Sequence, residues 1–442
     1  MLSRYLRTRE RSQSLFNLVT DDAYYSQPIA LRHPIVFYEG HLPGFSFNTL
    51  VKKALGGGSI DPRLETLFAR GIDPAEHNDH KGASASAPEH RALWPDRDTV
   101  RQFAAAADRS VVEALSRASL DGPGDRPDDS PVGRAEAVFT ILEHEAMHQE
   151  TLLYMWHRLT FDQKRRPEGY SPRVDGDVPP IEWVDVPAGR ATLGVDRAAI
   201  PFGWDNEFPA CRADVAAFSM ERHNVTNARY LEFVDAGGYQ DARWWRPEDW
   251  RWIRADLVAH PLFWERHEGA WYWRGMFDLI GLPLSWPVYV SHAEAAAYAR
   301  WRGGRLPAEA EYQRAAFGAP SGERQHPWGD GEPSLDHGVF DFSSWDPEPS
   351  GSHPAGASTW GIEDLTGNGW EWTSTPFGPF PGFRAMASYP EYSADFFGRE
   401  HFVMKGASPA TARELLRPTF RNWFRARYPY VYASFRCVKD SR

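Results

Sequence analysis

Apolar residues recur at helical spacing through the first part of the chain. Thr99 to Leu115 is one such stretch, and Val132 to Leu159 is a stronger one, with Pro131 suited to a first helical turn. Between them, Asp121 to Ser130 is rich in Gly, Pro and Asp and reads as a connection. Helices joined by loops, with no alternating strand pattern, predict a helical bundle over 1–165. Lys164 to Pro180 is polar and rich in Pro and Gly, and 166–180 reads as a linker. Beyond it the texture changes. Short apolar pieces (Ile181 to Val186, Ala191 to Gly194) alternate with turns, and short helices are expected over Asn227 to Ala236, Ser291 to Arg302 and Pro307 to Phe317. From Ala319 to His401 periodicity fades while Gly, Pro and aromatic residues accumulate. A second domain over 181–442, mixed α+β with much irregular backbone, is the expectation.

Inside the stronger helical stretch, Glu143-His144-Glu145-Ala146-Met147-His148-Gln149-Glu150 sets two imidazoles four residues apart, with carboxylates on both sides. Residues i and i+4 lie on one face of a helix. Both rings can therefore reach one first-row metal ion without distorting the backbone. The competing reading is two exposed helix histidines with no ligand role. Glu150 lies two positions beyond His148, roughly 200° around the helix at 3.6 residues per turn, and so is poorly placed to share its ligand face. It reads instead as a residue that orients an imidazole from behind. With no cysteine nearby the donors are nitrogen and, at most, oxygen. Three imidazoles suit zinc, copper or iron(II), and two with a carboxylate suit oxygen-activating iron.

Composition narrows the partners. A length of 442 residues allows two or three domains with ample core. The net charge of −11 provides no positive field for nucleic acid or an anionic membrane. Met1 to Arg7 lacks the apolar core of a signal peptide, and no apolar run is long enough for a spanning helix. Cys211 and Cys437 are too few for a disulfide framework and agree with a reducing compartment. A cytoplasmic protein acting on small molecules is expected. The 19 tryptophans crowd the second half, as at Trp244, Trp245, Trp250, Trp252, Trp264, Trp271 and Trp273. They either cover irregular backbone or line a pocket that holds a quaternary ammonium by cation–π contact.

Several motifs of the second half together resemble the formylglycine-generating-enzyme-like (sulfatase-modifying-factor) domain. They are Asp205-Asn206-Glu207, Val225 to Tyr230, Gly304 to Glu311, Gly367 to Thr373, and Phe420-Arg421-Asn422-Trp423 through Phe435-Arg436-Cys437. This resemblance implies a C-type-lectin-like α+β fold over residues 181–440. The cysteine pair of true formylglycine-generating enzymes has no counterpart in Lys405 to Ala412, so their thiol chemistry is not expected. A helical domain with a metal motif, fused to such a domain, is similar to the ergothioneine-type sulfoxide synthases. These are non-haem iron enzymes built on a DinB-like four-helix bundle, with the hallmark H-x3-H-x-E. His144, His148 and Glu150 match that pattern. The resemblance implies Fe(II) and a third histidine ligand followed by an aromatic pair and a glutamate. His33, ahead of Phe37-Tyr38-Glu39, fits that description, and His41 is its nearby competitor.

In that family hercynine, the betaine of histidine, binds the iron through its imidazole, and oxygen drives carbon–sulfur bond formation at the ring. An Asn-Trp pair near the substrate carboxylate maps onto Asn422 and Trp423. An amide and an indole N–H can both donate to a carboxylate. Three positions depart from the γ-glutamylcysteine-using pattern. Phe424 and Tyr428 stand where an acid and an arginine would clamp the donor, and Met147 stands where a glutamine would touch the substrate imidazole. An aromatic pair cannot make those two ionic contacts. Phe424, Tyr428 and nearby Tyr430 suit stacking on a neutral sugar, which is closer to the selenoneine synthases and their selenosugar donor. A type that takes free cysteine is the alternative. The family's proton-donating tyrosine has its nearest candidates in Tyr389 and Tyr392, for which the competing reading is plain loop residues. Two readings from other classes are a zinc-dependent thiol transferase resting on the bundle and a sugar-binding module resting on the lectin-like half.

Overall fold

The computed structural model describes residues 1–69, 94–117, 130–398 and 400–441. Of the expected connection Asp121 to Ser130, all but Ser130 lies outside the described residues. The chain forms two compact units, one of Met1–Tyr170 with Ala385–Tyr392 and one of Ser171–Arg384 with Ser393–Arg442. Among the described residues no helix is long and apolar enough to cross a membrane.

The first unit is helical: α1 (Leu2–Asn17), α2 (Ile35–Ser46), the short α3 (Pro62–Leu67), α4 (Arg97–Arg117) and α5 (Glu136–Arg158). A π-helical stretch, Phe47–Ala54, continues α2. Asp61 caps α3 by accepting from the N–H groups of Arg63 and Leu64, with Pro62 in the first turn. α2 packs on α4, and α1 on α5. Tyr5, Phe45, Phe47, Leu50, Val111, Val138 and Ile141 lie at the core between them. Gly40 and Gly44 of α2 permit close packing. A Cβ at Gly40 would stand 2.6 Å from the ring of Phe68, and one at Gly44 would stand 3.3 Å from Phe103 of α4.

α5 is buried almost all round although it carries Glu143, His144, Glu145, Gln149 and Glu150. A helix of this kind must give its polar side chains partners inside the bundle. On one side α1 supplies them. Ser12 and Arg9 donate to Glu145 at 2.6 and 2.8 Å, and Gln149 donates to the Thr8 carbonyl and the Ser12 hydroxyl, both at 2.8 Å. Arg9 also pairs with Asp108 of α4 at 2.9 Å, and Tyr5 donates to that carboxylate at 2.6 Å. The network thus joins three helices.

Among its described residues the second unit has fourteen short strands: β1 (Trp183–Val186), β2 (Gly189–Leu193), β3 (Cys211–Val215), β4 (Phe218–Glu221), β5 (Trp264–His267), β6 (Ala270–Arg274), β7 (Leu279–Gly281), β8 (Gly318–Ala319), β9 (Gly322–Glu323), β10 (Gly369–Pro376), β11 (His401–Ala407), β12 (Asn422–Arg425), β13 (Ala433–Ser434) and β14 (Val438–Asp440). They form sheets ordered β1-β4-β14, β12-β11-β10-β13 and β5-β6-β7, with two further hairpins. β12 runs antiparallel to β11, pairing Phe424 with Phe402 and Asn422 with Met404. Four helices accompany the sheets: α6 (Asn227–Asp235), α7 (Pro247–Ala255), α8 (His292–Trp301) and α9 (Glu309–Phe317). Thr226 and Ser291 cap α6 and α8, so these helices begin where the sequence places them. The architecture is therefore a helical domain and a mixed α+β domain with much irregular backbone, as expected.

One ion pair organises the second unit. Arg436 meets both oxygens of Glu371 on β10 at 2.7 Å, and its remaining N–H groups reach the carbonyls of Arg222 (2.7 Å) and Glu363 (2.9 Å). Both side chains are fully buried. Removing one member strands the other charge in the interior. Arg436→Ala is expected to destabilise this unit by about 3–5 kcal/mol in a denaturant titration, with Arg436→Lys failing to restore it because a point charge cannot reproduce the forked geometry.

Candidate metal centre

α5 and α2 bring three imidazoles together. His144 and His148 lie one turn apart on α5, as their spacing requires, and His41 of α2 faces them. Each offers a nitrogen, and the three nitrogens lie within 4.8 Å of one another. Ring centroids are 4.4 Å apart for His144 and His148, and 5.1 and 5.0 Å from His41 to each of them. His41 Nδ1 stands 2.7 Å from the Phe68 carbonyl oxygen. A carbonyl only accepts, so Nδ1 carries the hydrogen and Nε2 presents its lone pair. Among the described residues, His41 Nε2, His144 Nδ1 and His148 Nδ1 are all buried without a hydrogen-bond partner. Such atoms are costly in a protein interior unless something satisfies them.

The electrostatics match. Burial pushes the His41 imidazole down to about 4, against the opposing pull of the Phe68 carbonyl. Burial, and then the neighbouring His148 and His41 rings, hold His144 well below the usual histidine range. Burial, followed by His41, Arg32 and His33, does the same for His148. All three are neutral near pH 7, which is the form that ligates. Three nitrogen donors without thiolate suit iron(II), zinc or copper, and the residues fit such an ion. The walls are aromatic: Phe45 stacks on His144 at 3.5 Å, and Phe37 on His41 at 4.9 Å.

The third histidine of the cluster is therefore His41, in place of the expected His33. Pro34 caps α2, so His33 precedes the helix, and its ring stacks on Phe37 at 4.1 Å and meets Trp94 edge-on at 6.4 Å. The sequence signal for His41 is a lone imidazole inside an almost wholly apolar run. The aromatic pair and glutamate after His33 outweighed it. Glu150 is buried on α5 outside the three-histidine group.

Ala385–Tyr392 belongs to the helical unit, and it delivers both candidate tyrosines. The Tyr389 ring lies 6.2 Å from His144 and 5.2 Å from Phe45. Tyr392 stands 5.9 Å from Tyr389, and its hydroxyl donates to the Met147 sulfur at 3.3 Å. Asn422, Trp423, Phe424 and Tyr428 belong to the second unit. There Trp423 stacks on Phe377 at 4.2 Å, and Phe424 stacks on the buried Tyr428 at 5.1 Å.

A helical bundle with a three-histidine cluster, followed by an α+β domain, defines the class. Residues 4–152 match the DinB superfamily, and residues 174–441 match the sulfatase-modifying factor enzyme 1-like domain. The chain is 36% identical to a protein named hercynine oxygenase from Mycobacterium tuberculosis, covering 87% of this chain and 85% of that one. It is 33% identical to the hercynine oxygenase of Mycolicibacterium smegmatis, with the same 87% and 85% coverage. Ergothioneine biosynthesis protein 1 of Neurospora crassa is 28% identical over 94% of this chain and 54% of its own length. The chain belongs to the ergothioneine-type sulfoxide synthase family.

Two outcomes test the cluster. His41→Ala is expected to weaken metal binding by more than the about 10–100-fold typical of losing a group that only orients a ligand, while His33→Ala retains stoichiometric metal, both read by elemental analysis and titration. Gly40→Ala forces the Phe68 ring aside and with it the carbonyl that holds His41. A stability loss of about 1–3 kcal/mol is expected, together with weaker metal binding.

Proposed function

We propose that this chain is a non-haem iron(II), oxygen-dependent enzyme that joins a chalcogen to the imidazole carbon of hercynine. The observation that carries this reading is the cluster of His41, His144 and His148, whose nitrogens lie within 4.8 Å of one another with no thiolate among them. Three protein ligands leave coordination positions for a substrate imidazole and for O2. Bound iron would supply oxygen activation. The relatives named hercynine oxygenase support the choice of substrate.

The chain's own groups have separable tasks. The Phe68 carbonyl fixes the His41 tautomer, while Phe45 and Phe37 keep water from the rings. Tyr389 is assigned the proton-donating role. Tyr392 is assigned a supporting one, because its hydroxyl is directed to the Met147 sulfur. Met147 is consequently read as a packing partner at the substrate imidazole. Asn422 Oδ1 accepts from the Trp423 N–H at 2.9 Å, which commits the oxygen and leaves the amide NH2 to donate to the hercynine carboxylate.

The donor is assigned as a selenosugar, making the reaction C–Se bond formation in selenoneine biosynthesis. Its support is the stacked Phe424–Tyr428 pair, with Tyr430 edge-on to Tyr428 at 5.0 Å, where ionic clamps for a peptide thiol would stand. The relatives' names favour a second reading, a hercynine sulfoxide synthase of ergothioneine biosynthesis that uses cysteine or γ-glutamylcysteine.

Protein purified anaerobically and offered hercynine with a selenosugar, a thiosugar, cysteine or γ-glutamylcysteine decides between these. The expected result is stoichiometric iron, O2 uptake that requires hercynine, and a selenium-bearing product by mass spectrometry. Product from γ-glutamylcysteine alone would overturn the donor assignment, and tightly held zinc without O2 uptake would overturn the enzyme reading. Tyr389→Phe is expected to lower kcat by about 10²–10⁴-fold, the usual contribution of a positioned proton donor.

A further inference from the structure

Ser388, the residue before Tyr389, is held at every polar atom. Its N–H and its hydroxyl both donate to Glu136 Oε1 at 2.9 Å. Its hydroxyl oxygen lies 2.8 Å from the Thr140 hydroxyl, which must donate, since the serine proton is committed to the carboxylate. Its carbonyl accepts from Lys53 Nζ at 3.1 Å. Ser388, Glu136 and Thr140 are all buried.

The origin of these partners gives the arrangement its meaning. Glu136, Thr140, His144 and His148 succeed one another at four-residue spacing, so they form one stripe along α5. The first half of the stripe grips the Ser388 segment, and the second half carries two imidazoles of the cluster. Lys53 lies on the π-helical continuation of α2, the helix that carries His41. Both ligand-bearing helices thus hold the residue next to Tyr389, and Phe45 of α2 lies against both Tyr389 and His144. Bonds to a carboxylate are stronger than neutral ones, which suits a contact that must fix a backbone position.

We propose that Glu136, Thr140 and Lys53 are positioning residues that clamp Ser388 and thereby set the place of the Tyr389 ring beside the three-histidine cluster. This inference rests on the role assigned to Tyr389 above. The clamp is what makes the tyrosine's position a property of the helical unit, although the segment bearing it is remote in sequence.

Hydrogen–deuterium exchange on the full-length protein, loaded with iron under anaerobic conditions, tests the clamp independently of turnover. Glu136→Ala and Ser388→Ala are each expected to speed exchange across Ala385–Tyr392 by about tenfold or more, as loss of bonds to a charged group implies, with iron stoichiometry retained. Glu136→Gln, which keeps an accepting oxygen, is expected to restore most of the protection. In turnover, Glu136→Ala should lower kcat without changing KM for hercynine. The double variant Glu136→Ala/Tyr389→Phe should be no slower than Tyr389→Phe alone. Unchanged exchange in both single variants, or losses that multiply in the double variant, would overturn the proposal. If the wild-type protein takes up no O2 with hercynine, the reaction assignment fails while the exchange result still decides the clamp.

Discussion

Everything at the candidate centre depends on one constraint: α5 runs through the middle of its unit, yet it carries more polar side chains than an interior helix normally can. Each must be satisfied where it stands or the fold loses stability for every orphan. The helix resolves the conflict by sides. Glu145 and Gln149 are met by Arg9, Ser12 and Thr8 of α1. Glu136 and Thr140 are met by Ser388. His144 and His148 present nitrogens that no group meets among the described residues. The unmet nitrogens of this pair lie together with that of His41, and this juxtaposition marks the place built for something else.

The same constraint accounts for the local oddities of α2. A helix with Gly40, Pro43 and Gly44 inside it loses intrinsic stability, and Pro43 cannot donate to the Glu39 carbonyl. Packing compensates. The two glycines admit Phe68 and Phe103, and Phe68 turns its carbonyl to His41, so the residues that weaken the helix also orient its ligand. A π-helical stretch then carries Lys53 towards Ser388. Such stretches often accompany functional sites because they re-aim side chains that a regular helix would place elsewhere.

Legibility in the sequence followed the range of the interaction. Cap residues act within a few positions, and Thr226 and Ser291 start α6 and α8 close to where the sequence places them. The pair His144 and His148 was equally legible, being one turn of one helix. α5 itself starts later than Val132, because Arg134 and Ala135 take left-handed backbone conformations (φ 51° and 54°) before the helix begins. Neither left-handed position is a glycine, although Gly133 stands just before them. The choice of His41 over His33 depends on where α2 begins and on the Phe68 carbonyl, and neither is a local property. The return of Ala385–Tyr392 to the helical unit lay furthest from view, in a stretch without periodicity. It rests on Glu136, some 250 residues away in sequence. Tyr389 and Tyr392 stood out as candidates only through family resemblance.

The claim at the centre of this account is that His41, His144 and His148 together bind iron. X-ray absorption at the iron edge, on protein loaded with Fe(II) under anaerobic conditions, measures this directly. The account predicts three imidazole nitrogens and light-atom donors with no sulfur, reduced to two imidazoles in His41→Ala and unchanged in His33→Ala. A spectrum with sulfur scattering, or a loss of one imidazole on replacing His33 instead of His41, would contradict it.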